Sequence, residues 1–273
     1  MTYINRVGSV QDEDGRWHHR FSQSFIGTAT DCPEQARRYH AKLLPPDNTD
    51  AAAVGTAVHA GIELALTEGQ TFDACMEAIE DAWYEEQREP DFRWTKYSGN
   101  TAWKLIEACW ASWWNGFQPR TREQQGWECE QKFAVPLVDE PDRIIELTGT
   151  IDAFDGFNVY DWKTTGDEDK WDDSKQREMR RWAIQPTAYT YAHNYLFQTN
   201  PVFTWVVLTP GGCKQIPTTR SEQDWEWLKE QATALAVLIE ADLPVWPKND
   251  QHWLCSAKWC VAWDDCKGKH IND

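Results

Sequence analysis

Positive charge is scarce in this chain. Across 273 residues, 27 Lys and Arg stand against 44 Asp and Glu, a formal net charge of −17. A broad basic surface that coats nucleic acid nonspecifically is therefore excluded. A local basic groove is not excluded, and the acidic excess suits a site that holds cations with carboxylates. Long apolar runs are also missing. None approaches about 18 residues, so no membrane span is expected. Residues Met1–Arg6 lack the apolar core of a secretory leader, and the expected location is the cytoplasm. In that reducing setting the eight cysteines are expected to be free thiols or metal ligands, not disulfides. Internal repeats and low-complexity linkers are absent. The length suits one large domain or two small ones with a substantial core. Tryptophan, by contrast, is abundant at eighteen residues. Most of these are expected to pack, with a few left to stack on bases.

Periodicity and turn chemistry divide the chain. A short helix is expected over 21–40, with Arg37 and Arg38 near its end. Amphipathic helices follow over Ala52–Leu66, Thr71–Gln87 and Thr101–Trp114. Strands dominate from Trp127 to Thr164. An acidic loop covers 166–174, a helix 175–197, and Val202–Leu208 is a continuous apolar run that reads as a buried strand. Ser221–Ala241 is a helix with a serine N-cap and with Glu222 and Asp224 in its first turn. The tail from Pro244 is irregular and holds three cysteines. This order points to one α/β domain with a helical insertion over 51–115 before the sheet.

The densest chemical signal is Gly149-Thr150-Ile151-Asp152 followed by Asp161-Trp162-Lys163. Ile144–Phe154 and Phe157–Thr164 read as strands joined by Asp155-Gly156, a two-residue hairpin signal. With that loop Asp152 faces Val159, Thr150 faces Asp161 and Thr148 faces Lys163. Asp152, Asp161 and Lys163 then share one face of the sheet. Two carboxylates suit Mg²⁺, which takes hard oxygen ligands. A lysine beside them can position water and neutralise charge developing on a phosphate. Alone, Asp-x-Lys is a weak signal that a solvated surface hairpin also produces.

Three further constellations stand outside the hairpin. Gly55–His59 opens a helix on which His59 and Glu63 share a face. His59 is either a nitrogen ligand or a structural histidine. Gln185 and Tyr189 share another helical face, where an amide and a phenol can hold a nucleic-acid strand or a carboxylate. Upstream of them Lys175, Arg177, Arg180 and Arg181 form a basic stretch fitted to phosphates. In the tail, Cys255, Cys260 and Cys266 indicate a metal. The fourth ligand is open among Cys32, Cys75, Cys109, Cys129, Cys213 and His252.

Taken together and in order, these motifs resemble the PD-(D/E)XK nuclease superfamily. The closer resemblance is to its RecB-like iron–sulfur exonucleases, among them AddB and the CRISPR-associated RecB-like exonucleases. Gly55–His59 resembles the histidine motif. Gly149–Asp152 and Asp161–Lys163 resemble the two acidic motifs, and Gln185–Tyr189 the Gln-x3-Tyr motif. Phe21–Phe25 through Asp31-Cys32-Pro33 resembles the segment carrying the first cluster cysteine. The resemblance spans roughly residues 21–266.

It implies a restriction-endonuclease-like central mixed sheet flanked by helices, within a single domain over 1–273. The helical insertion would precede the sheet, and the cysteine-rich tail would be stapled over 244–270 to residues 21–40. It further implies Mg²⁺ or Mn²⁺ on Asp152, Asp161 and His59, with Lys163 positioning water and Gln185 and Tyr189 holding the strand or the site. Cys32 with Cys255, Cys260 and Cys266 would hold a [4Fe–4S] cluster, Zn²⁺ being the alternative. Cys75, Cys109, Cys129 and Cys213 become ordinary buried thiols. The implied activity is hydrolysis of DNA from its ends in recombination, repair or phage DNA processing, on single-stranded DNA or DNA ends and with a recombination partner protein. A non-catalytic DNA-binding or assembly module and a zinc-stapled protein of unrelated function are the alternatives.

The chain departs from the family in three places. The first tail spacing is four residues where two is common. Pro186 follows Gln185, so the helix must begin close by or kink. The upstream glutamate falls on Glu128, on Glu130, which shares its strand face, or on neither.

Overall fold

The computed structural model describes residues 8–43, 48–117, 126–171, 183–251, 255–258 and 260–268. Seven strands form a mixed sheet: β1 (Gly8–Gln11), β2 (Trp17–Ser22), β3 (Glu128–Asp139), β4 (Arg143–Phe154), β5 (Asn158–Thr164), β6 (Val202–Thr209) and β7 (Gly212–Thr218). Their order is β1-β2-β4-β5-β6-β7, with β3 paired to β4. The β2–β4 and β5–β6 pairs are parallel, and β1–β2, β4–β5 and β6–β7 are antiparallel. Among the described residues seven α-helices accompany them: α1 (Gln23–Asp31), α2 (Pro33–His40), α3 (Asp50–Glu68), α4 (Phe72–Arg88), α5 (Gly99–Gly116), α6 (Ile184–Phe197) and α7 (Glu222–Glu240). The expected mixed α/β sheet with flanking helices is therefore what the chain builds.

The chain divides into two compact units, residues 1–45 with 133–149 and 221–273, and residues 46–132 with 150–220. In the first unit Phe21, Phe25, Ile26, Ile145 and Leu147 are buried with Leu228 and Leu235 of α7. The capping box of Ser221 and Asp224 starts that helix, as its sequence foretells. Buried His19 ties β2 to β1 and to the end of α7. Its ring nitrogens lie 2.8 Å from Ser9 Oγ and 2.9 Å from Glu240 Oε1.

In the second unit the helical insertion packs on the C-terminal part of the sheet. Thr49, Thr71 and Ser98 each cap a helix by accepting a backbone N–H. The apolar faces of α3, α4 and α5 close over Ala153, Trp162, Val206 and Leu208. β6 is buried along most of its length between a parallel and an antiparallel neighbour, which accounts for its unbroken apolar run.

The helix expected over 21–40 is instead a strand end and two helices. Cys32 is extended (φ −155°, ψ 103°), and Pro33 takes the first position of α2. A residue before proline is pushed out of the helical region, and proline is well placed at N1. The helix expected over 175–197 begins at Ile184. Ala183 is extended, so Pro186 lies in the first turn, where a missing N–H costs no intrahelical bond. Residues 175–182 lie outside the described residues. β1, β2 and β7 escape a reading by alternation. β2 carries Trp17-His18-His19-Arg20, and β7 has Pro217, which is tolerated at a sheet edge.

Candidate active site

The β4–β5 hairpin turns one residue later than Asp155-Gly156 implies. The ladder pairs are Ala153 with Tyr160 and Phe154 with Val159, not Phe154 with Phe157. Asp155 and Asn158 close the turn, and its central residues are Gly156 and Phe157. Gly156 has φ +91°, the glycine-first form of a two-residue loop. The Asp155 carboxylate accepts the N–H groups of Phe157 (2.9 Å) and Asn158 (2.7 Å), which holds Asp155 in the strand end. Moving the turn by one residue moves every facing partner by two. Side-chain parity therefore survives, and Asp152, Asp161 and Lys163 still share a face.

The corrected register, carried one residue past Ala153–Tyr160, sets Asp152 opposite Asp161. The ladder ends there. The Trp162 N–H bonds to Asp152 Oδ2 at 2.9 Å, and the Trp162 carbonyl accepts from His59 Nε2 at 3.0 Å. That second bond orients the His59 ring. Its Nε2 carries hydrogen, and Nδ1 faces Asp152 Oδ2 at 3.7 Å and Glu130 Oε1 at 3.9 Å. The ligand atoms of His59, Glu130 and Asp152 all lie within 4.8 Å of one another. They form the one such group of His, Cys, Asp and Glu among the described residues. Glu130 was one of two open choices in the sequence. Its backbone has φ +48°, a left-handed conformation that is uncommon for glutamate and costly in a strand. No sequence pattern signals that bend.

Asp161 is almost fully buried. Its Oδ2 meets Lys163 Nζ at 2.6 Å, and its Oδ1 accepts from Gln185 Nε2 at 2.7 Å. Tyr189, buried one turn along α6, is in hydrogen-bonding contact with Gln185. Gln185 thus holds a carboxylate, and Pro186 does not displace it. The electrostatics follow from crowding like charges in a dry place. Burial, then Asp161, pushes the Asp152 carboxyl up to about 7, against the pull of His59, Lys163 and the Trp162 N–H. Burial acts to lower His59, but Asp152, Glu130 and Asp161 outweigh it and hold the imidazole at about 9. Lys163 is also held above its ordinary value, where the two aspartates overcome desolvation. Three cationic or acidic protons thus converge on a space lined with hard ligands. Lys175, Arg177, Arg180 and Arg181 lie outside the described residues.

The profile of the PD-(D/E)XK nuclease superfamily matches residues 20–267. The chain belongs to this superfamily. No curated protein matches this nuclease at a significant level. Among solved structures, a candidate exonuclease from Eubacterium rectale has a TM-score of 0.56 at 11% identity, covering 92% of this chain and 88% of that one. The likeness is one of fold. SSO0001 matches with a TM-score of 0.38 at 12% identity, over 89% of this chain and 95% of that one. The nucleases of this superfamily use divalent metals, and the His59–Glu130–Asp152 group is chemically suited to one. No helix among the described residues is long and apolar enough to cross a membrane.

The first unit of the nuclease carries a second constellation. Cys32, Cys255, Cys260 and Cys266 line one cavity of about 320 Å³, together with Glu34, Arg38 and Trp263. All four are free thiols. Cys32 sits at the corner between α1 and α2, and tail turns carry the other three, with Cys260 N–H bonded to Ser256 O and Cys266 N–H to Trp263 O. Buried Glu34 binds the tail to α2. It accepts from Arg37 (2.7 and 2.9 Å), Arg38 (2.9 Å) and the Trp246 N–H (3.0 Å). Although burial raises its carboxyl, these donors hold it down at about 2. The other cysteines are absent from the lining of this cavity; Cys75 and Cys109 are buried as expected, while Cys129 and Cys213 are only half-buried. Burial pushes Cys75 and Cys213 up to about 11 and Cys109 and Cys129 to about 12, which makes poor thiolates.

Proposed function

We propose that this nuclease is a Mg²⁺- or Mn²⁺-dependent DNA exonuclease that acts on DNA ends in recombination, repair or phage DNA processing. The observation that carries the reading is the convergence of His59 Nδ1, Glu130 and Asp152 beside the buried Asp161–Lys163 pair. His59 Nδ1, Glu130 and Asp152 would hold a divalent ion, which would supply positive charge at the scissile phosphate and lower the pKa of the attacking water. The Nε2–H bond to the Trp162 carbonyl leaves Nδ1 of His59 for that role. Asp161 completes the acidic pair and anchors Lys163, whose ammonium stands where charge grows on the phosphate oxygens. Gln185 and Tyr189 hold Asp161 in place. Water attacks phosphorus, the bridging P–O bond breaks, and the departing oxygen takes up a proton. Action from ends rests on the resemblance to the RecB-like exonucleases.

We further propose that Cys32, Cys255, Cys260 and Cys266 hold a [4Fe–4S] cluster as a staple. The four thiols line one cavity, and four cysteine thiolates are the donor set such a cluster takes.

The test uses anaerobically purified protein on end-labelled linear and on circular DNA, with Mg²⁺, Mn²⁺ or EDTA. Metal-dependent loss of linear DNA with circles spared is expected, and Lys163→Ala or Asp161→Asn abolishes it while the circular dichroism spectrum is kept. Activity that survives either substitution would sink the assignment. Brown protein containing iron and sulfide is expected at the cysteine site, and colourless protein containing zinc would replace the cluster with Zn²⁺.

A further inference from the structure

Within this acidic chain, Arg93-Trp94-Thr95-Lys96-Tyr97 is a short run of cations and aromatics between α4 and α5. Its shape is set by one buried carboxylate. Asp50, the first residue of α3, is fully buried. Its Oδ1 accepts from Thr95 N (2.6 Å), Thr95 Oγ1 (2.7 Å) and Lys96 N (3.2 Å). Its Oδ2 accepts from Tyr97 N at 2.5 Å and Lys96 N at 3.1 Å. Arg93 is stitched to the same helix start by Arg93 N to Asn48 O (2.8 Å) and Asp50 N to Arg93 O (3.1 Å). Three consecutive backbone N–H groups wrapped on one carboxylate make a rigid loop, and a surface turn does not need that investment for its own sake.

What the loop presents is specific. Trp94 is half exposed; its other side packs edge-on against Phe92 and Trp83, with centroids 5.0 and 6.1 Å away. Lys96 is exposed, and its Nζ stands 4.8 Å from the Tyr97 ring centroid. Lys96 and Tyr97 line a cleft of about 290 Å³ whose other walls include Thr49, Thr164 and Thr165. Thr164 directly follows Lys163 on β5. Successive side chains leave opposite faces of a strand, so Thr164 turns away from Lys163 and lines this polar cleft about 3 Å further along the backbone.

We propose that the Trp94–Tyr97 loop is a platform for the DNA strand beside the cleaved phosphate. Lys96 and the threonine hydroxyls take a backbone phosphate in the cleft, Trp94 stacks on a base, and Asp50 is the positioning residue that holds both. Stacking on an exposed indole and a phosphate held by one ammonium are how proteins grip a single strand without reading its sequence. The proposal rests on the nuclease reading.

The test titrates a fluorescein-labelled single-stranded oligonucleotide with the full anaerobic protein, with Ca²⁺ replacing Mg²⁺, over a range of salt. Trp94→Ala and Lys96→Ala are each expected to weaken binding about tenfold. Lys96→Ala also flattens the plot of log affinity against log salt by about 0.7, and Lys96→Arg restores it. With Mg²⁺, both alanine variants raise KM and leave kcat in place. Both side chains are substantially exposed, so a folding defect does not mimic this pattern. Unchanged affinity and salt dependence in both variants, with a parent that cleaves DNA, overturns the platform alone. A parent that binds through Trp94 and Lys96 but cleaves nothing with Mg²⁺ or Mn²⁺ overturns the nuclease reading and upholds the platform. A parent that does not bind DNA overturns both.

Discussion

The carboxylate–histidine site and the cysteine site solve the same problem in opposite ways. The first is mounted on strands and the long helix α3, and Asp161, Asp152 and His59 in it are each held by a protein partner. Asp161 has Lys163 and Gln185, Asp152 has the Trp162 N–H, and His59 has the Trp162 carbonyl. Its geometry is built by backbone pairing, and its charges are in conflict, since burial and Asp161 push Asp152 far above an ordinary carboxylate. The second is mounted on a helix corner and a run of turns, and its strongest protein-borne link is buried Glu34. The hard site is organised at the expense of stability, as functional sites commonly are. The soft site gathers four thiols around a cavity, and what fills it would contribute folding energy outright.

This contrast predicts opposite signs for ligand removal. Asp152→Asn at the hard site should cut cleavage by about 10³-fold or more, from lost metal binding, and raise the melting temperature. The isosteric amide relieves a carboxylate that burial and Asp161 disfavour, and a gain of about 1 kcal/mol corresponds to roughly 2–4 °C for a chain of this size. A fall in melting temperature would break the comparison. The cluster proposed for the soft site predicts the reverse for Cys32→Ser: a melting temperature lower by several degrees and release of the iron. Calorimetry and iron analysis on the same sample check this, and a variant that keeps both iron and stability removes Cys32 from the ligand set.

A smaller effect separates the sheet from its proton chemistry. His193 is fully buried against Phe154 and Phe197. Burial pushes its imidazole down to about 4. The folded state therefore binds fewer protons than the unfolded chain between pH 4 and the ordinary histidine value. Stability is complete above about 6.5 and falls as pH drops toward 4, by roughly 3 kcal/mol at most. His193→Leu should flatten that limb in acid unfolding followed by fluorescence. An unchanged limb would place the titration elsewhere. The smallest effect is expected from Cys75→Ala. This thiol packs in the α3–α4 core, so the change should cost about 1 kcal/mol and leave iron content and cleavage untouched. Loss of iron there would bring Cys75 back among the cluster ligands.

Much of this was legible because side-chain parity is a property of the strand, not of its neighbours. Asp161 and Lys163 share a face whatever the partner, and a one-residue error in the turn moved the register by two, which preserved the faces. The N-cap of α7 was legible for a similar reason, since Ser221 is satisfied within a few residues. Glu130 was not legible, because a left-handed φ inside a strand is imposed by its surroundings. Nor were β1, β2 and β7, whose places depend on which edge of the sheet remains to be covered.

By itself the sequence determined the chemical inventory: hard ligands and a lysine at hairpin spacing, a histidine on a helix, and three clustered cysteines in the tail with further cysteines upstream. Those follow from residue type and local periodicity. Tertiary structure decided which of them meet. It turned His59 Nδ1 toward Asp152 and Glu130, set Gln185 on Asp161, brought Cys32 to the tail cysteines, and closed the Arg93–Tyr97 loop on Asp50. These contacts join residues tens to hundreds of positions apart. They are fixed by burial and by the need of every buried polar group for a partner, which no local pattern records.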